Sequence, residues 1–230
     1  MNWNALMGVA STFALFVPVG LILILRLYSN RPLLALLFYY LSTAIYHLMV
    51  EGIIPASAEA TRIYGTINNY TDAPLMLLFF HFFTADKIKS RALHILLALF
   101  LVYELIIAGI FGVERTANVY ILAPCVCVNL IFGIILFIRH GRLAITHGKG
   151  IGKTLMLSAV VFSYGSFAII YIFHYLLKIN ARADIFLLYF ITSTLTSLIM
   201  AIGITFTQKH LRQLEEVKLA RKELRMFFNT

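Results

Sequence analysis

Seven apolar stretches, near residues 5–26, 33–54, 72–86, 92–112, 117–138, 153–177 and 184–207, take up most of this chain and leave no soluble domain of ordinary size between them. A helix rises about 1.5 Å per residue and the hydrocarbon core of a bilayer is roughly 30 Å thick, so about 20 mostly apolar residues make one crossing. Charged residues are 13% of the chain at a mean hydropathy of +0.88, against about 25% charged in a typical soluble domain. The expected fold is all-α: a polytopic membrane bundle of about seven transmembrane helices over residues 1–207, with a helical tail over 208–230.

The basic residues orient such a bundle. Fifteen of the 19 Lys and Arg fall on one alternating set of connections or in the tail. They are Arg26 and Arg31, then Lys87, Lys89 and Arg91, then Arg139, Arg142, Lys149 and Lys153, then six from Lys209 to Arg225. The other set holds Arg62, Arg115, Lys178 and Arg182. Short basic loops are retained on the cytoplasmic side during insertion, so the N-terminus is expected outside and the C-terminus in the cytoplasm.

This placement also accounts for the net charge of +9 without nucleic acid, because the excess lies where anionic headgroups and the insertion rule put it. A cleavable signal peptide needs a basic start, whereas the first charge is Arg26, so the first stretch is expected to stay as a helix. Cys125 and Cys127, two apart on a helix, point about 200° away from each other and are expected to pack rather than bridge or chelate.

The longest outer connection runs from Pro55 to Thr71 and is expected to cover the outer mouth of the bundle. Its Asn69-Tyr70-Thr71 fits an N-glycosylation acceptor, a pattern common by chance and given no weight. On the inner side, Gly148-Lys149-Gly150-Ile151-Gly152-Lys153-Thr154 looks like a phosphate loop, but His147 stands where that pattern needs glycine. A basic turn between helices is the expectation there.

From Gln208 onward charged residues are spaced among Leu211, Leu214, Val217 and Leu224, the pattern of an amphipathic helix continuing out of the last span. Such a helix lies along headgroups, or serves as a rod that pairs with a second copy and carries movement to a cytoplasmic signalling protein through residues 208–230. Its closing run, Arg221-Lys222-Glu223-Leu224-Arg225-Met226-Phe227-Phe228-Asn229-Thr230, resembles the helix leading into the phosphoacceptor segment of bacterial sensor histidine kinases. That resemblance implies a membrane sensor region in a bacterial inner membrane. The Ser-His-acidic sequence and the nucleotide-binding motifs are absent, so no kinase activity follows.

Ionisable residues inside membrane helices are costly and are functional hypotheses by default. Thr43, His47 and Glu51 share one face of the second helix, and His47 with Glu51 could equally form a local pair. Asp72, ahead of Ala73-Pro74, is expected to cap the third helix. Glu104 has no base within its own span and needs water, a proton or a partner on another helix. His174 either joins the site, with Ser163 and Tyr171 on about the same face, or reaches the interface near Lys178. Together these residues suggest a polar pocket open to the outside, with His47, Glu51, Glu104, Tyr171 and His174 as its ligand-binding residues. His81, nine residues after Asp72, turns about 180° away from it. Thr192, Ser193, Thr194, Thr196 and Ser197 are expected chiefly to pack, and the absence of lysine from Asp184 to Thr207 disfavours a Schiff-base retinal.

A second resemblance supports an alternative. Thr43-Ala44-Ile45-Tyr46-His47 looks like the Ser-x-x-x-His element of intramembrane zinc hydrolases such as alkaline ceramidases and adiponectin-receptor relatives, with Asp72 standing for their aspartate. It implies a zinc ion on about three protein ligands; the family's His-x-x-x-His in the last helix is missing, and His47, His81 and His174 could substitute for it only if their helices turn them together. The favoured expectation is a sensor of a small molecule or proton, with no cofactor and no catalytic residue. A zinc hydrolase and a small-solute transporter are the alternatives.

Overall fold

A computed structural model describes residues 3–84, 87–148, 150–177 and 182–228. Seven α-helices make up nearly all of these residues, and no strand occurs among them. They are α1 (Trp3–Ile24), α2 (Arg31–Val50), α3 (Ala58–Phe83), α4 (Lys87–Phe111), α5 (Arg115–His147), α6 (Ile151–Tyr171) and α7 (Arg182–Phe228). A short 3-10 turn, Leu27–Ser29, joins α1 to α2, and α6 continues into a π turn, Ile172–Leu176. Six of the helices, all but α3, are long and apolar enough to cross a membrane. Lys149, Lys178 and residues 229–230, which enter the charge, interface and tail expectations, lie outside the described residues, as do the side chains of the tail stripe at Leu211, Leu214, Val217 and Leu224.

Short connections set successive helices antiparallel, and their contacts close a ring: α1 on α2, α2 on α3, α3 on α5, α5 on α6, α6 on α7, and α7 back on α1. α4 stands outside this ring against α3 and α5, and its spanning window is the least buried of the six. One end of the ring carries Arg26, Arg31, Arg139, Arg142 and Lys153 and is called the basic end below.

The two halves of the ring differ in packing. Toward the basic end Ile22, Leu33, Leu36, Met76, Leu77, Phe79, Phe80, Met156, Leu157, Met200 and Ile204 form one buried core. There α6 and α7 touch backbone to backbone: a Cβ on Gly203 would stand 2.9 Å from the Met156 nitrogen and 3.0 Å from the Gly152 oxygen. Small residues that let helices approach this closely are a main source of cohesion in lipid, where apolar burial gains little. Toward the opposite end the ring is hollow.

The third helix corrects one expectation. Residues 58–71 are not a loop over the mouth but the first turns of α3. Ser57, in an extended conformation after Pro55, accepts a hydrogen bond from the Ala60 N–H at 3.1 Å, and Glu59 sits in the first turn, where a negative charge suits the helix dipole. Asp72 is therefore interior to a helix rather than its cap, and Pro74 lies inside the same helix. The polar character of residues 58–72 comes from what this half of α3 faces.

At the basic end the expectation of a turn in place of a phosphate loop holds. Gly148 closes α5 at φ 63° and Gly150 caps α6 at φ 83°, both left-handed conformations that favour glycine. The two cysteines differ in their surroundings. Cys125 is buried, Cys127 is exposed, and both are free.

Candidate functional site

The hollow half holds a cavity of about 570 Å³, within the roughly 300–1,000 Å³ range of small-molecule sites. All six ring helices line it and no residue of α4 does. From α3 come Thr61, Gly65, Asn68 and Asp72, spaced i, i+4, i+7 and i+11, so that one helix face wets one wall. That face explains why α3 is the least apolar of the seven up to its midpoint. Arg62 stands at the rim, and Asp72 lies ten residues, about 15 Å, further down.

Polar contacts tie the hollow half together where apolar packing is missing. Ser42 on α2 donates to Asn68 Oδ1 at 2.8 Å, and Asn69 donates to Asn118 Oδ1 on α5 at 3.2 Å. Arg62 donates to the Val113 carbonyl at 3.0 Å, while Tyr70 donates to that of Gly112, also at 3.0 Å, so α3 holds the α4–α5 turn. Tyr171, at the end of α6, donates to the Val119 carbonyl at 3.1 Å.

His47 lies on the wall at 2% exposure. Its Nε2 pairs with the Tyr189 hydroxyl of α7 at 2.9 Å, and Ser11 Oγ of α1 lies 3.5 Å from Nδ1. The ring stacks on Tyr189 with centroids 5.4 Å apart, and Phe167 of α6 also stacks on Tyr189, at 5.6 Å. One imidazole of α2 thus meets α1 through Ser11 and α7 through Tyr189, and Phe167 extends the stacked rings to α6. At the cavity floor Asp72 accepts a hydrogen bond from Tyr164, a buried residue of α6, and the Cys125 thiol lies beside the same carboxylate. Asn129 in turn donates to Cys125 Sγ at 3.5 Å. The rim carries His174 and Tyr175 on the π turn, a widened turn of the kind frequent at functional sites.

Of the expected ligand-binding residues, His47, Tyr171 and His174 meet at this cavity, with Ser163 beside them. Glu51 and Glu104 do not line it. Glu51 caps the end of α2 and directs its carboxylate at Gly8 of α1, where a Cβ would overlap it; partial burial raises that carboxyl above its ordinary value. The ring nitrogens of His47 meet Ser11 and Tyr189, which displaces the expected His47–Glu51 pair. Glu104 is 5% exposed on α4, outside the ring, and its Oε1 is without a hydrogen-bond partner. The expected zinc ligands are not brought together either. His47 is in the last turn of α2, whereas His81 is in the last turn of α3, at the other end of the ring, with its ring 3.9 Å from that of His94. Among the described residues no three His, Cys, Asp or Glu side chains are grouped to hold a metal ion.

Several lining residues escaped sequence reasoning: Tyr39, Asn118, Phe167, Tyr189 and Phe190. Aromatic residues are ordinary in apolar helices and carry no periodic mark, but the heptad-like spacing of Thr61, Gly65, Asn68 and Asp72 was a usable signal. Of the α7 hydroxyls, Ser193, Thr196 and Ser197 face the cavity while Thr194 donates to the Phe190 carbonyl of its own helix at 2.9 Å. No family model, curated protein or solved structure matches this chain.

Proposed function

We propose that this chain is an integral membrane sensor of seven crossings, with its N-terminus outside and its C-terminus in the cytoplasm of a bacterial inner membrane. It binds a small molecule in the cavity and relays occupancy along α7 to a cytoplasmic partner or a second copy of the chain. One observation carries this reading: a helix that walls the cavity is also the helix that leaves the bundle. α7 contributes Tyr189, Phe190, Ser193, Thr196 and Ser197 to the wall and runs without interruption to Phe228, about 45 Å beyond Ser197. A ligand that favours one seating of α7 therefore shifts the tail as well. The filled basic half argues against a transport path, and the separation of His47 from His81 argues against zinc hydrolysis.

A tethered occupant tests the relay without a known ligand. In a Cys127→Ser background, Thr43→Cys on the cavity wall is reacted with benzyl methanethiosulfonate, with the methyl reagent as control, and hydrogen exchange is followed over residues 208–228. The benzyl group is expected to change exchange of that segment at least twofold and the methyl group to leave it unchanged. Equal exchange with both adducts would mean that cavity and tail are independent.

A further inference from the structure

The chemistry of the cavity floor narrows the class of ligand, an inference that rests on reading the cavity as a ligand site. Among the described lining residues Asp72 is the one carboxylate, and the bases stand elsewhere: Arg62 is about 15 Å up the same helix, engaged with Val113 and Glu59, and His174 is on the π turn at the rim. His47, the remaining lining base, spends its Nε2 on Tyr189. The acid that comes into electrostatic range of Asp72 from outside the ring is Glu104, which adds no positive charge. A carboxylate taken out of water without a counter-charge is costly, and the side chains on hand offer it only a hydroxyl and a thiol.

Aromatic rings share the cavity wall with that carboxylate. Tyr39, Phe167 and Tyr189 line the same cavity as Asp72, and Phe167 stacks on Tyr189. Aromatic faces attract cations and reject anions, and they receive an apolar body equally well. An acid at the bottom of an aromatic well, with the rim as the basic part, is built for a molecule that enters charged end first.

We propose that the cavity takes a small organic cation, a protonated amine on an apolar skeleton, with its ammonium on Asp72 and its body among Tyr39, Phe167 and Tyr189. The ammonium supplies the missing counter-charge, so that the pair is completed only when the ligand is bound. A neutral ligand leaves the carboxylate uncompensated, and an anionic one is repelled.

The test uses three skeletons, 2-phenylethyl, 3-phenylpropyl and octyl, each carrying a terminal ammonium, hydroxyl or carboxylate. Binding is measured by calorimetry to protein in zwitterionic-lipid nanodiscs, with empty discs subtracted. The ammonium member of at least one skeleton is expected to bind tenfold or more tighter than its alcohol, with the carboxylate weakest, and Asp72→Asn is expected to erase that preference. Because the ranking is read on the unaltered protein, a misfolded Asp72→Asn leaves the test intact. Alcohols or carboxylates binding as tightly as ammoniums would overturn the inference and leave the cavity a ligand site of another class. Absence of binding by all three series would overturn it together with the ligand-site reading, whereas a silent tail in the tether experiment leaves it standing.

Discussion

Pro124 cannot donate to the carbonyl of Tyr120 four residues back in α5, and the Tyr103 hydroxyl of α4 donates to that carbonyl instead, at 2.8 Å. One side chain thereby fastens the peripheral helix to the ring at the position where proline leaves a backbone group open. Tyr103→Phe is expected to lower stability by roughly 1 kcal/mol, the order of an interhelical hydrogen bond in lipid, in unfolding measured in detergent or nanodiscs. Unchanged stability would show that the carbonyl finds another partner. At this scale the sequence was legible where depth and face alone decide. His47, Ser163, Tyr171 and His174 all line one cavity. Glu104 was placed at a plausible depth, but whether a helix joins the ring or stands outside it depends on pairings among seven helices that no local pattern records.

Elements tell a similar story with a different cause. Polarity alone makes residues 55–71 look like an exposed loop ahead of a short span, yet Ser57 as cap, Glu59 in the first turn and the Thr61-Gly65-Asn68-Asp72 face together specify a helix with a wet wall. In a membrane bundle a polar helical face marks a cavity as readily as an aqueous surface. The ends of α5 and α6 were legible because Gly148 and Gly150 act locally. The α6–α7 crossing is the tightest helix contact at the basic end, and its specificity can be tested directly. Gly203→Ala pushes a methyl group against the Met156 and Gly152 backbones and is expected to cost about 1–3 kcal/mol, as overpacking does. Gly165→Ala, where an added Cβ meets nothing within 4 Å, is the control and should be neutral or slightly stabilising. Equal thermal stability of the two variants would contradict the close crossing.

For the whole molecule, the arrangement that matters is a bundle packed at its basic end and hollow at the other, with α7 running through both and out beyond the packed end. Charge bias gives an expectation for which end faces the cytoplasm without any tertiary information, because insertion reads loops one by one. The same bias cannot report that one half is hollow, which follows only once six helices have closed around a wet wall. The central claim is that the cavity and the tail lie on opposite sides of the membrane, joined by α7. Its most direct measurement is labelling of intact cells with a membrane-impermeant maleimide, in a Cys127→Ser background, at Ala56→Cys between α2 and α3 and at Gln213→Cys in the tail. Ala56→Cys should label on intact cells and Gln213→Cys only after permeabilisation; labelling of Gln213→Cys from outside, or of both positions from one face, would contradict the account.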